Sequence, residues 1–277
     1  MKRQHIGPGK ILYWFLACLW LFATLFPLAF TVMSSFKDNK EIFRAFMAFP
    51  ENPSLDNYAA AIEMTGILGA IKNSLLIAGT AIAIMLVFCL MAAYVISRKR
   101  VPCYQFFSAL FTAALMIPVM SLIVPIVQMV NNFGLSGEPW VLSIIYAGVN
   151  SSLTFFILKN SIDDIPSSLD EAAMIDGCSL VQITFRVIGP VVRPSLITCG
   201  ILTFINVFNE LAIANVLIDN KTERTLSLAL MSLKGDMGSM YGIIFATVVI
   251  ALIPSVTLYM LAQEKVEKSI VSGMSKG

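Results

Sequence analysis

Residues 73–97 read NSLLIAGTAIAIMLVFCLMAAYVIS and run directly into Arg98-Lys99-Arg100. The run carries no charge. A helix needs about 20 mostly apolar residues to cross the hydrocarbon of a bilayer. A helix on the surface of a soluble domain shows an apolar stripe and a polar face, whereas this one is apolar all round. The stretch therefore predicts a transmembrane helix, and the basic triplet marks its cytoplasmic end.

Five further stretches pass the same test. Residues 11–36 are uncharged, with their densest apolar part at Ile11–Met33. Another uncharged run covers 101–137, apolar over Gln105–Val130, and 139–158 opens at the interfacial anchor Trp140. Residues 194–218 are interrupted by one charge, Glu210, and 237–263 has its core at Tyr241–Ala262. The basic start at Lys2, Arg3 and Lys10 suggests a signal peptide, but the apolar run is too long and no small-residue cleavage site follows. It is read as a retained first helix. The predicted fold is an all-α integral membrane protein of six transmembrane helices.

Composition agrees. Of the 277 residues 57% are hydrophobic and 13% charged, and the mean hydropathy is +0.81. Soluble domains are about 45–50% apolar and about 25% charged, and a chain of this size cannot bury such an excess. Disorder is excluded on the same ground. A net charge of +2 does not suggest nucleic acid as a partner. The five cysteines (Cys18, Cys89, Cys103, Cys178 and Cys199) are scattered, and His5 is the lone histidine. No disulfide framework, metal site or Ser-His-Asp chemistry is expected. No G-x-x-x-x-G-K-[ST] occurs, so the chain has no nucleotide-binding loop of its own. The one G-x-S-x-G, Gly273–Gly277, lacks the strand-turn-helix context of a nucleophile elbow. Asn220-Lys221-Thr222 matches a glycosylation sequon and decides nothing. No catalytic residue, metal or cofactor is expected.

With both termini in the cytoplasm, 12 of the 19 Lys and Arg residues fall in inside segments and 7 outside, the bias that sets orientation. The chain divides into residues 1–72 (first helix and outer loop), a 73–263 core of five helices, and a 264–277 tail. Within the outer loop, Glu41–Pro50 carries Ile42, Phe43, Phe46, Met47 and Phe49, which predicts a short interfacial helix.

The inner segment 159–193 is the most structured connection. It reads IPSSLDEAAMIDG over residues 165–177. Pro166 suits a helix start, Ser168 and Glu171 have the spacing of a capping box, and Gly177 is placed to end the helix. Leu169, Ala172, Ala173 and Ile175 would form its small-residue face, and its acidic groups would face the cytoplasm. A second helical segment with Leu180, Ile183, Val187 and Ile188 on one face would follow, stopped by Pro190 and Pro194. On spacing alone, Glu171 either caps its own helix or offers a carboxylate to another protein.

Glu171-Ala172-Ala173, Asp176-Gly177 and Ile188-Gly189-Pro190 resemble the EAA motif of permease subunits from binding-protein-dependent ABC importers. Glycine at 189 stands where leucine is usual, and Cys178 where alanine is common. Asn57-Tyr58, Asn73-Ser74, Phe208-Asn209-Glu210 and the tail 272–277 are similar to landmarks of the carbohydrate branch and its smaller maltose-type subunit. The resemblance implies a cytoplasmic coupling helix between spans 4 and 5. It also implies a second, non-identical permease subunit, two cytoplasmic ATPase subunits, an extracytoplasmic solute-binding protein and a sugar as substrate, all at the cytoplasmic membrane. Glu171, Ala172, Ala173, Asp176, Gly177 and Pro190 would then couple the chain to an ATPase. Importers of polyols, polyamines or glycerol phosphate are the alternative within the class, and an ion-coupled secondary transporter is the alternative outside it.

Glu210 is the one ionisable residue inside a span. A charge at mid-membrane costs at least about 2.5–3.5 kcal/mol on insertion scales, so it must face a cavity or a partner. Asn206, Asn209 and Glu210 have i, i+3, i+4 spacing, which predicts one polar face. That face either lines a solute path or packs one helix against another.

Overall fold

The computed structural model describes residues 8–274, all helix and connection with no strand among them. The basic residues Lys2 and Arg3 and the last three residues of the tail, 275–277, lie outside the described residues. The chain forms two compact units, one of residues up to 67 with 230–253, the other of 68–229 with the segment from 254 onward.

In the first unit, α1 (Pro8–Ser35) is exposed along its apolar length, with Trp14 63% and Trp20 77% accessible, as a lipid-facing helix requires. Helix α2 (Asn39–Arg44) is capped by Asp38, whose carboxylate accepts the Glu41 amide at 2.7 Å. The expected interfacial helix thus begins two residues before Glu41 and ends at Arg44, leaving Phe46, Met47 and Phe49 exposed on the loop that follows. Helix α3 (Asp56–Thr65) carries Asn57 and Tyr58, which tie the end of α1 down. The Asn57 amide donates to the carbonyls of Ser35 and Lys37 at 2.9 and 2.8 Å, and the Tyr58 hydroxyl meets Ser35 Oγ at 2.6 Å. Asn39 receives the Gly242 amide and donates to the Ser239 carbonyl. At Gly242 a Cβ would lie 2.7 to 2.8 Å from the Asn57 side chain and the Lys37 carbonyl, so only glycine lets the backbones approach this closely.

In the second unit, α4 (Ile67–Ser97) is the long helix predicted from 73–97, begun six residues earlier. The third apolar run is broken. Helix α5 (Tyr104–Ala114) and the segment Val119–Asn132, a 3₁₀ turn leading into α6 (Ile123–Asn132), meet at 101°. Pro118 disfavours helical backbone at Ile117 and itself adopts extended geometry, which opens the break. Helix α7 (Pro139–Asp163) is continuous. Next come α8 (Ser168–Ile175), α9 (Leu180–Gln182), a π-helical stretch Ile183–Ile188 and α10 (Gly189–Val191).

Pro190 does not stop this segment. It lies inside α10, where the wider preceding turn accommodates a residue without an amide hydrogen. The chain bends 83° at Val192, and Pro194 opens α11 (Arg193–Phe208). The fifth run, expected to stay helical over 194–218, breaks after Phe208 and resumes as α12 (Ala212–Leu217). Helices α13 (Leu226–Met237) and α14 (Tyr241–Met274) complete the chain. Four of the described helices are long and apolar enough to span a membrane, six spans in all if each bent pair counts as one. The chain is a multi-pass membrane protein.

Contacts inside the second unit gather the predicted loops into two groups. Asn73 donates to the carbonyls of Thr222 and Arg224, and Ser74 accepts the Leu226 amide at 2.7 Å. Arg98, the residue after the end of α4, reaches α8. The start of the second predicted span thus meets the connection assigned to the outside at 219–226, and the basic triplet at its end meets the segment assigned to the inside.

Candidate functional site

Two places in the second unit carry polar chemistry. The first is α8. Its N-cap residue Ser167 makes no side-chain cap and has helical backbone angles, so the expected Ser168–Glu171 capping box is not formed. Backbone turns meet the need instead, with the Leu169 and Asp170 amides donating to the carbonyls of Pro166 and Ser167. A capping box does form at Ser179 and Gln182, which begins the next helix. Glu171 and Asp176 are exposed and make no side-chain hydrogen bond or ion pair among the described residues.

At its end, α8 closes in a Schellman turn. The Cys178 amide donates to the Ala173 carbonyl and the Gly177 amide to that of Met174, both at 3.0 Å, with Gly177 at φ +81°. The helix faces differ from the expected ones. Ala173 and Asp170 point inward, and Asp170 is only 2% exposed, so not every acidic group faces the cytoplasm. Leu169, Ala172 and Ile175 point outward, Ile175 being 86% exposed. The reason is the partner of Asp170. Arg98 Nε donates to its carboxylate at 2.5 Å, and this buried pair sets the rotation of the helix. Pro190 is exposed in α10.

The second place is a cavity of about 360 Å³ beside both helix breaks, lined by Ile117, Val119, Tyr146, Asn150, Asn206 and Glu210 among others. Asn206 Nδ2 donates to the side-chain Oδ1 of Asn150 at 3.1 Å, and Asn150 Nδ2 donates to the backbone carbonyl of Tyr146. Glu210 sits just past the end of α11, not on its face. Its carboxylate accepts from the Tyr146 hydroxyl at 2.6 Å and from the amides of Ile213 and Ala214 at 2.7 and 3.1 Å. It therefore caps α12, where a negative charge is favoured by the unpaired amides of the first turn. Asn209 bonds back to the Ile205 carbonyl, is exposed, and does not line the cavity. The predicted three-residue face thus resolves into Asn206 and Glu210 at the cavity and Asn209 away from it, because the helix ends at Phe208.

Sequence reading missed Tyr146, Asn150, Arg98 and Asp170. The polar run Asn150-Ser151-Ser152 in the middle of an apolar helix was the available signal for Asn150. Nothing local pointed to the other three.

Residues 85–272, which include both places, match the family of binding-protein-dependent transport system inner membrane components. The chain belongs to that family. Relatives of similar length agree with this membership. A probable permease of a starch degradation products transport system in Thermoanaerobacterium thermosulfurigenes is 30% identical over the whole of both chains. A multiple sugar-binding transport system permease of Streptococcus mutans is 30% identical, with 91% of each covered. A diacetylchitobiose uptake permease of Streptomyces coelicolor is 28% identical over 93% of this chain and 86% of its own. Among solved structures, a chain of a bacterial ABC transporter that imports alginate superposes with a TM-score of 0.83 at 19% identity, covering 95% of this chain and 98% of that one. A chain of the alginate transporter in complex with its pentasaccharide-bound periplasmic protein gives 0.64 at 17%, covering 93% and 94%. The all-helical membrane fold and the likeness to these transporter chains agree.

Proposed function

We propose that the chain is one of two membrane subunits of an ATP-driven importer for sugars, and that α8 docks it to a cytoplasmic ATPase subunit. The observation that carries the reading is α8 itself. The E-A-A and glycine spacing of the family falls on a short helix with an exposed carboxylate at Glu171, an exposed Ala172 and Ile175, and a glycine-closed end at Gly177. Such a helix offers a partner a small, close-packing surface and one charge for pairing. Ala173 and Pro190 act differently. Ala173 seats the helix on the core, and Pro190 lies in the segment joining it to α11. ATP hydrolysis belongs to the two ATPase subunits, since this chain has no phosphate-binding loop. A second, non-identical permease subunit and an extracytoplasmic solute-binding protein complete the assembly, with lipid around it and no nucleic acid. The sugar assignment is supported by the relatives named for starch products, multiple sugars and diacetylchitobiose. Asn150 and Asn206 would meet sugar hydroxyls at the cavity, while Glu210 holds the break open.

Cells with and without the gene, given labelled maltotriose, raffinose, glycerol and spermidine in turn, test the reading. Loss of sugar uptake alone is expected. Loss of glycerol or spermidine uptake instead would move the substrate class, and uptake abolished by proton uncouplers with ATP levels held would overturn the ATP-driven reading.

The Lys and Arg bias supports a topology with both termini in the cytoplasm. Cysteines introduced singly at Asp38 and Asp219 are expected to react with an impermeant thiol reagent added outside, and one at Lys99 is not. The reverse pattern would invert the topology.

A further inference from the structure

The buried ion pair beneath α8 has no part in docking as described above. Asp170 lies 72 residues from Arg98 in sequence, yet their side chains are 3% and 11% exposed and share one hydrogen bond. Asp170 Oδ1, Arg98 Nη2 and the hydroxyl of Tyr94, one turn earlier on α4, are all buried without a hydrogen-bond partner among the described residues. Ala173, one turn after Asp170 on the same face, joins Tyr94, Leu158, Ile162 and Ile183 in one core cluster. The opposite face of α8 is the exposed one. The helix thus has an outward surface for a partner and an inward surface fixed to the end of the longest apolar helix in this unit.

A buried ion pair is a poor device for stability alone, because apolar residues of similar volume hold a core at least as well. What a charge pair adds is direction. The single Nε–Oδ2 bond anchors the two side chains to each other, and the buried Nη2 and Oδ1 leave a second bond available if the pair turns. Motion of α8 then reaches α4 without the pair parting. Energetic coupling needs this kind of contiguous physical link between sites.

We propose that Arg98 and Asp170 form the strut that carries movement of α8 into the membrane-spanning helices, with Asp170 a positioning residue distinct from the docking residue Glu171. The proposal rests on the reading of α8 as the ATPase-docking helix. Its test uses the complete transporter purified from its own cells through a tag on this chain, with spin labels on encoded amino acids at Phe88 of α4 and Ser167 at the start of α8. Both positions are exposed.

The 88–167 distance is expected to be the same in the nucleotide-free complex and after trapping with MgATP and vanadate. In Asp170→Asn it should shift and broaden on trapping, and ATP hydrolysis stimulated by the binding protein should fall at least about tenfold, with the ATPase subunits still co-purifying. The exchange Arg98→Asp with Asp170→Arg should restore both readouts, which ties the loss to the pair rather than to either side chain alone. If Asp170→Asn does not insert, Arg98→Lys is read in the same way, since it keeps the charge and loses the fork. A wild-type distance that changes on trapping, or an Asp170→Asn complex with normal distance and turnover, overturns the strut. Failure of the docking reading looks different, as Glu171→Lys would then retain its ATPase subunits whatever the labels report.

Discussion

Gly177→Val is expected to abolish uptake and weaken retention of the ATPase subunits while the chain still inserts in the membrane. Gly177 sits at φ +81° and its amide closes the α8 turn on the Met174 carbonyl. A Cβ there would meet nothing within 4 Å, so the effect is conformational and not a clash. Holding a non-glycine residue in that region costs of order 1–3 kcal/mol, and a β-branched side chain is the worst suited to it. The turn escapes the strain by rotating to negative φ, which breaks the Schellman bonds and re-aims α8. Asparagine tolerates the left-handed region, so Gly177→Asn should keep most activity and separates backbone geometry from mere substitution.

Glu171→Lys should give the same loss by another route. Glu171 closes no capping box, so removing its carboxylate forfeits only a favourable placement near the helix N-terminus, about 0.3–1 kcal/mol. A charge-assisted bond to an ATPase cation is about 1.5–3 kcal/mol, a tenfold or greater change in affinity, and lysine adds repulsion. Co-purification of the ATPase and binding-protein-stimulated hydrolysis measure both variants. Normal values in both would defeat the docking role of α8.

Glu210→Ala is expected to prevent assembly rather than to alter solute preference. The substitution deprives the Tyr146 hydroxyl and the Ile213 and Ala214 amides of their acceptor. Ile213 and Ala214 are buried, and an orphaned buried donor costs about 1–3 kcal/mol. Three together are a large share of the roughly 5–15 kcal/mol that holds a domain. Helix α12 should unwind and the cavity beside it collapse. Glu210→Gln keeps one carbonyl acceptor and should be milder, and Tyr146→Phe milder still. Asn206→Ala should leave the fold intact and change transport, because Asn206 lines the cavity and its side chain bonds, among the described residues, to Asn150 alone. Thermal stability in detergent and pull-down of the partner subunits distinguish the two classes. A stable, assembled Glu210→Ala complex with altered solute preference would return Glu210 to the solute path.

The split between these two residues shows what was legible in the chain. Glu171, Gly177 and the helix they bound could be read because their information is local. A glycine after an apolar-spaced octet ends a helix by its own backbone freedom, and α8 closes where the spacing says. The apolar runs were equally readable, since lipid demands composition along a continuous stretch. Composition is blind to breaks, however. Pro118 and Glu210 mark the places in the lettering, but a proline or a single charge within an apolar run does not say that the helix ends there. The 101° bend before Val119 and the end of α11 at Phe208 therefore came only with the structure. The face of α8 is divided differently from the expected one, because the pair with Arg98 turns Asp170 and Ala173 inward while Leu169, Ala172 and Ile175 stay outside.

By itself, then, the sequence determined the membrane class, the apolar runs and the position of the short helix between α7 and α9. These follow from periodicity, length and residue type within a few turns. Only the tertiary structure decided that Glu210 caps α12 beneath Tyr146, 64 residues away, and that Asp170 turns inward to Arg98, 72 residues away. A buried charge must find its partner wherever packing brings one, and that partner's place in the chain is set by how the helices cross rather than by anything beside it in sequence.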